Sequence, residues 1–321
     1  MARDSADDRI WGYLLHLSFN MWADVQVPGQ QDQDTVAQPV LRCDPEVWSG
    51  LTARMAAAGL NMVVIDLGDG VRYDSHPEIA VRRAWSPSRL RRELKRLRGL
   101  GLEPIPKLNF STCHDAWLGP YARMVSTDTY YAVCRDLIAE VFDLFGRPRF
   151  FHLGMDEETA PHQRMHEYAV IRQHGLWWRD LQFYVQEVVR AGCRPWVWSD
   201  YVWHHPEAFY AQMPCSVLQS NWYYYEGFST SERRNTRAVR VRTYAELDAH
   251  GYDQVPAASN YVYPQSFQDT VDFCRRKIAP QRLLGFLQTV WRPTVESWRQ
   301  THVEAIAQVE RARQGWAAVK A

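Results

Sequence analysis

The sequence has no apolar run long enough to cross a bilayer, and no apolar core follows the opening Met1-Ala2-Arg3-Asp4-Ser5-Ala6-Asp7-Asp8. It therefore reads as a soluble chain with no membrane partner, and the expected compartment is the cytoplasm. There is no excess of charge of either sign: Lys+Arg and Asp+Glu stand at 37 each, so net charge recruits no nucleic acid. Cysteine is sparse and unpatterned. Cys43, Cys113, Cys134, Cys193, Cys215 and Cys274 form no C-x-x-C pair, which reads as reduced, mostly buried thiols. No Gly-rich phosphate loop follows the first apolar segment, so the nucleotide-binding open sheet loses its usual support. No linker, composition break or internal repeat divides the 321 residues, and a single domain spanning 1–321 is expected. Nothing in these features bears on oligomeric state.

What is present in unusual amount is aromatic: 14 Trp, 16 Tyr and 12 Phe. Aromatic rings bury well and also stack on the C–H faces of sugars, so only their placement separates the two uses. That placement follows from a regular alternation of strand and helix. Strands are expected at 13–20, 61–67, 103–110, the apolar run ending at Gly154, 194–199, 216–220, 254–259 and 283–290. Helices are expected from Pro45 to Ala58 behind Asp44, from Pro87 to Arg98 behind Ser86, then over 127–145, 161–191 and 294–313. The basic face of the second helix reads as solvated. Eight strands alternating with helices predict an α/β fold, a (β/α)₈ TIM barrel, whose usual length of about 250 residues fits with room for long loops.

The chain is organised around Phe150-Phe151-His152-Leu153-Gly154-Met155-Asp156-Glu157-Glu158. An apolar strand ending in glycine and three acids delivers carboxylates to its C-terminal tip, the side of a parallel barrel where ligands bind. The bland alternative is an acidic first turn of the next helix, favoured by the helix dipole. The other tips carry Asn20 and Trp22, Asp66 and Asp69, Asn109 and His114, Trp198 and Asp200, Trp222, Tyr261 and Tyr263, and Trp291. An aromatic-walled cup around acids is the expectation. Strand alternation puts His152 on the same inward face as the acids, either orienting a carboxylate or sitting as a satisfied core histidine. His204-His205 superficially suggests a metal site, but adjacent side chains converge poorly on one ion, so neither metal nor organic cofactor is expected.

The segment His152-Leu153-Gly154-Met155-Asp156-Glu157 resembles the signature of the family 20 glycoside hydrolases, the β-N-acetylhexosaminidases, with Met155 where a second glycine is common. The resemblance implies a retaining, exo-acting hydrolase in which the substrate's own 2-acetamido oxygen is the nucleophile. Asp156 would then orient the acetamide and stabilise the oxazolinium, and Glu157 would be the general acid and base. It further implies that Trp198, Trp222 and Trp291 line an acetamido pocket and that Tyr261 or Tyr263 binds the acetamide carbonyl. His114 is similar to the family's histidine after the third strand, and Asp66 or Asp69 to its acid after the second. Three positions depart from the pattern. Asn20 and Trp22 stand where the family usually has an arginine, Arg292-Pro293 follows Trp291 in place of an acid, and Pro264-Gln265 occupies the place of another. The expected partner is an N-acetylhexosaminide carbohydrate. Two alternatives stand beside this reading: a non-catalytic carbohydrate-binding barrel, and a glycosidase for sugars without an acetamide that uses Asp200 or another acid as nucleophile.

Overall fold

The computed structural model describes residues 9–26, 29, 33–229 and 236–318. Eight parallel strands run β1 (Ile10–His16), β2 (Met62–Asp66), β3 (Glu103–Lys107), β4 (Phe150–His152), β5 (Arg194–Trp198), β6 (Leu218–Ser220), β7 (Ala257–Ser259) and β8 (Gly285–Thr289). The helices are α1 (Pro45–Ala57), α2 (Pro87–Gly99), α3 (Asp128–Leu144), α4 (Gly175–Arg190), α5 (Tyr201–His204), α6 (Pro206–Gln212), α7 (Thr236–Ala249), α8 (Ser266–Lys277) and α9 (Arg299–Ala318). Neighbouring strands pair in sequence order from β1 to β6, and β8 lies between β1 and β7. The remaining gap is closed by Val255 N–H to Gln219 O and Ala257 N–H to Asn221 O, both at 2.9 Å. The result is the expected (β/α)₈ TIM barrel.

Caps written in the sequence set the helix starts. Asp44 Oδ1 accepts from Glu46 N at 2.9 Å, Ser86 Oγ from Arg89 N at 3.2 Å, and Thr127 Oγ1 from Tyr130 N at 3.3 Å. Proline follows directly in the first two. On α2 the buried residues are Leu90, Leu94 and Leu97, which leaves its arginines largely to solvent as expected.

The period-2 rule divides each strand between two cores. Trp11, Tyr13 and Leu15 of β1, with Val63 and Ile65 of β2, face the helices. Ile10, Leu14, Met62, Val64, Ile105, Phe150, Trp196, Leu218 and Leu287 fill the barrel interior. One inward step further along, the interior turns polar: His16, Asp66, Lys107 and His152 are consecutive register partners across β1 to β4. Lys107 Nζ is ion-paired to Asp66, and His16 Nδ1 lies 3.5 Å from the same carboxylate. A wholly buried lysine needs such a partner. This corrects the expectation for Asp66: its carboxylate is committed to Lys107 within the barrel and does not line the cup.

The strands stop earlier than their apolar runs suggest. Leu17 to Asn20 leave the sheet after His16, with Leu17 N and Ser18 N both bonded to Asp66 O. The single helix expected over 161–191 is also corrected. Only a 3₁₀ turn forms at Ala160–Gln163, and α4 starts at Gly175 behind His174, whose φ of 51° is not helical. The intervening chain is held by Arg172, which donates to Glu158 Oε1 at 2.9 Å, Phe110 O at 2.6 Å, Asp180 Oδ2 at 3.2 Å and Tyr184 OH at 2.9 Å. Among the described residues no helix is long and apolar enough to cross a membrane.

Candidate active site

Gly154 follows β4 with φ of 70°, and a Cβ there would lie 1.9 Å from Asn109 Oδ1. Only glycine allows that approach. Met155 and Glu157 then adopt φ of 73° and 56°, a left-handed path that costs such residues about 1–3 kcal/mol each. Several contacts hold it. Asn109 Oδ1 accepts from Met155 N at 3.2 Å and Ser111 N at 3.1 Å, while Asn109 Nδ2 donates to Asp156 Oδ1 at 2.8 Å. Ser111 Oγ donates to Asp156 O, and Glu157 N donates to Asp200 Oδ2 at 2.8 Å. No helix begins at the acid triplet, so it is not a helix cap. Asp156 and Glu157 instead emerge side by side.

His114 bridges them, with Nε2 3.3 Å from Asp156 Oδ2 and 3.4 Å from Glu157 Oε2. Burial opposes its charge, but the Asp156 carboxylate and then Glu157 outweigh that and raise its pKa to about 10. For Asp156, burial pulls upward, and the His114 charge, the contact with it, the Lys107 charge and the Asn109 hydrogen bond together bring the carboxyl well below its usual range. Asp156 is thus ionised beside an imidazolium. Because the folded-state pKa of His114 exceeds its unfolded value, the stability it contributes is complete below pH 6.5 and is lost as pH rises towards 10. Wild-type unfolding free energy should fall across that window by up to about 1.4 kcal/mol per pH unit. His114→Gln should flatten the same stretch in urea titrations, and an unchanged slope would refute this assignment.

The two carboxylates differ in exposure. The Asp156 side chain is 9 % accessible and that of Glu157 23 %. Both border a cavity of about 360 Å³ walled by Trp22, Trp198, Trp222, Tyr224, Tyr261 and Trp291. Trp291 meets Trp22 at 5.8 Å and Trp198 at 5.9 Å between ring centroids, and Trp222 stacks on Tyr224 at 5.0 Å. Trp291 takes φ of 55°, a strained conformation that turns its ring at the end of β8. The indole N–H groups of Trp22 and Trp198 are buried and, among the described residues, have no partner. The cup is therefore apolar-walled with a charged floor and spare donors.

Other expected site residues stand elsewhere. His152 is wholly buried, its Nδ1 accepting from Gly154 N at 3.0 Å and its ring packed on Trp196 and Trp198; it touches neither acid. Burial, then the Lys107 charge, holds it neutral. Asn20 and Asp69 bind each other: Asn20 Nδ2 donates to Asp69 Oδ2 at 2.8 Å, Ser18 Oγ donates to the other oxygen, and Arg42 reaches Asn20 Oδ1 at 3.0 Å. Tyr263 does not border the cup. Asp200 lies beneath Glu157, and burial followed by the Asp156 charge pushes its carboxyl up to about 7.

Four features escaped the sequence reading. His162 Nε2 lies 3.6 Å from Glu157 Oε1, in a stretch whose apolar spacing resembled a helix. Tyr224, one of three consecutive tyrosines, receives the Trp291 N–H at 3.3 Å. Arg240 borders the cup from α7, with no local signal to mark it. Glu158, next to the acid pair, is tied to Arg172. His114, Asp156 and Glu157 place ligand atoms within 4.8 Å of one another and could hold a cation. At neutral pH such an ion would have to displace the His114 proton.

No protein-family model matches the sequence, and no curated protein matches it. Solved structures do. The chain is similar to the β-N-acetylhexosaminidase of Bacteroides fragilis NCTC 9343, with a TM-score of 0.62 and 13 % identity over 94 % of this chain and 65 % of that one. It is similar to the GH20 β-N-acetylhexosaminidase of Streptomyces coelicolor A3(2), with a TM-score of 0.63 and 12 % identity over 94 % and 64 %. It is also similar to the GH20 exo β-N-acetylglucosaminidase of Vibrio harveyi, solved with N-acetylglucosamine, with a TM-score of 0.60 and 12 % identity over 94 % and 54 %. The chain spans less than two thirds of the length of each of these proteins. At such identity the likeness is one of fold.

Proposed function

We propose that this barrel is a glycoside hydrolase of the family 20 type, a retaining exo-β-N-acetylhexosaminidase that uses the 2-acetamido group of its substrate as nucleophile. The observation that carries the reading is the pair Asp156 and Glu157, adjacent at the floor of a tryptophan-walled cup with His114 between them. Adjacent carboxylates suit this chemistry because the attacking oxygen belongs to the sugar.

In the first step Glu157 gives its proton to the glycosidic oxygen, the anomeric C–O bond breaks, and the acetamide oxygen closes on the anomeric carbon. The oxazolinium so formed is cationic, and an Asp156 held ionised stabilises it where water is largely excluded. In the second step water attacks the same carbon, gives a proton to Glu157, and reopens the ring with net retention. Trp198, Trp222 and Trp291 suit the acetamide methyl, and Tyr224 or Tyr261 its carbonyl oxygen. Asp200 suits a nucleophile poorly, because one oxygen is taken by the Glu157 N–H and its carboxyl binds a proton up to about pH 7.

The test compares an aryl 2-acetamido-2-deoxy-β-hexoside with its 2-hydroxy analogue, together with a thiazoline mimic of the intermediate. The acetamido substrate should be preferred by at least about 100-fold, and the thiazoline should inhibit competitively. Equal turnover of both substrates would exclude neighbouring-group participation. Thiazoline binding without hydrolysis of any glycoside would favour the non-catalytic sugar-binding barrel.

A further inference from the structure

A second cavity, of about 400 Å³, lies on the other side of Glu157. Glu157, His162 and Arg240 line both spaces and form the partition between them. Beyond the partition the wall carries aromatic and basic side chains, and its acids Glu158 and Asp200 are engaged by Arg172 and by the Glu157 N–H. Trp177 and Tyr201 stack at 3.8 Å, Trp203 stands beside them, and His204 and His205 face the same space. Burial lowers the pKa of His204, and the neighbouring His205, Arg240 and His162 lower it further.

Arg240 is the unusual member. Its guanidinium carbon is 4.3 Å from the Trp203 ring, which borders the second cavity, and 4.6 Å from the Trp222 ring, which borders the cup. It is half-buried, and among the described residues no carboxylate lies within 4.0 Å of it. Arg172, the other arginine on this cavity, is spent on Glu158 and Asp180. Two indole faces hold the guanidinium by cation–π attraction and leave its in-plane N–H groups free of protein acceptors among the described residues, so the planar fork keeps donors for an oxyanion.

We propose that the second cavity receives the leaving group, and that Arg240 selects a leaving sugar that carries an anion, either the carboxylate of a hexuronate or a sulfate ester. The inference rests on the glycosidase reading above. It follows from which side of Glu157 each half of the substrate must occupy: the acetamido sugar fills the cup, the glycosidic oxygen meets the Glu157 proton, and the departing alcohol lies beyond it. An anion on that alcohol then reaches the guanidinium, while Trp203 and Tyr201 offer ring faces for the sugar.

Four substrates test it on the intact protein: an aryl N-acetylhexosaminide, and β-linked N-acetylhexosaminyl disaccharides ending in a neutral hexose, a hexuronate or a sulfated hexose. Wild type should hydrolyse at least one of the two anionic disaccharides with kcat/KM ten-fold or more above the neutral one, and the better of the two identifies the anion. Free hexuronate or sulfated hexose should likewise inhibit better than neutral hexose, a comparison that needs no variant. In Arg240→Gln the anionic-to-neutral ratio should fall to within about two-fold of unity, and Arg240→Lys should retain part of it. Hydrolysis of the aryl substrate with no anionic preference in wild type would overturn this inference alone. Absence of any hydrolysis would overturn the underlying reading, and this one with it.

Discussion

Glu157→Gln should lower kcat on N-acetylhexosaminides by about 10²–10⁴-fold, the usual contribution of a positioned general acid and base. Glutamine keeps the size of the side chain and its contact with His162, so the fold should survive and the change should be catalytic. The loss should also depend on the leaving group. An alkyl alcohol is a poor leaving group and needs the full proton, whereas a nitrophenolate departs with little help. The deficit should therefore be larger for an alkyl glycoside than for an aryl one by at least ten-fold. Asp156→Asn should differ: it removes the charge opposite the oxazolinium and leaves the His114 imidazolium without its main partner. A fall of about 10²–10³-fold is expected there, with less dependence on the leaving group. Full activity in Glu157→Gln, or an equal loss on both leaving groups, would remove Glu157 from the acid role.

Arg172→Met should be the most destabilising single change away from the catalytic pair. The Arg172 side chain is 1 % exposed and lies between Glu158 at 3 % and Asp180 at 0 %. Asp180 also accepts hydrogen bonds from Ser126 Oγ and Tyr131 OH. Removing the guanidinium strands two buried carboxylates, which costs about 3–5 kcal/mol. Urea titration at pH 7 should show that loss as a lowered midpoint with an unchanged slope. Adding Glu158→Gln and Asp180→Asn should recover much of it, because the penalty lies in the stranded charges more than in the missing contact. Because Glu158 directly follows Glu157, the single variant should also lose activity in the folded protein. A loss under about 1 kcal/mol would mean that water or another cation compensates.

The strands and the acid pair were legible for a local reason. Unbroken apolar runs such as Tyr13 to Leu15 and Met62 to Ile65 mark strands buried on both faces, and a glycine shortly before the acids marks a turn at a strand tip. Cap residues such as Asp44 and Ser86 act on donors two or three positions away, so helix starts are written within a few residues. The helix expected over 161–191 was misplaced because its first half has apolar spacing without the contacts to match. Arg172 ties that stretch to Phe110 and Glu158, partners that lie outside the window any periodicity rule inspects.

The same distinction governs the site. The order of residues alone determined that Asp156 and Glu157 are neighbours at the end of an apolar strand, and that Trp198, Trp222, Tyr261 and Trp291 follow later strands, because these are facts of covalent spacing. Closure of the barrel decided the rest. It turned Asp66 towards Lys107, locked Asn20 onto Asp69, withdrew His152 into the wall, set His114 between the acids, and stood Arg240 between Trp203 and Trp222. Most of those outcomes depend on a group that arrives from far along the chain, as Lys107 does for Asp66, Asp69 for Asn20 and His114 for Asp156, and a buried polar group takes the partner that folding brings within reach.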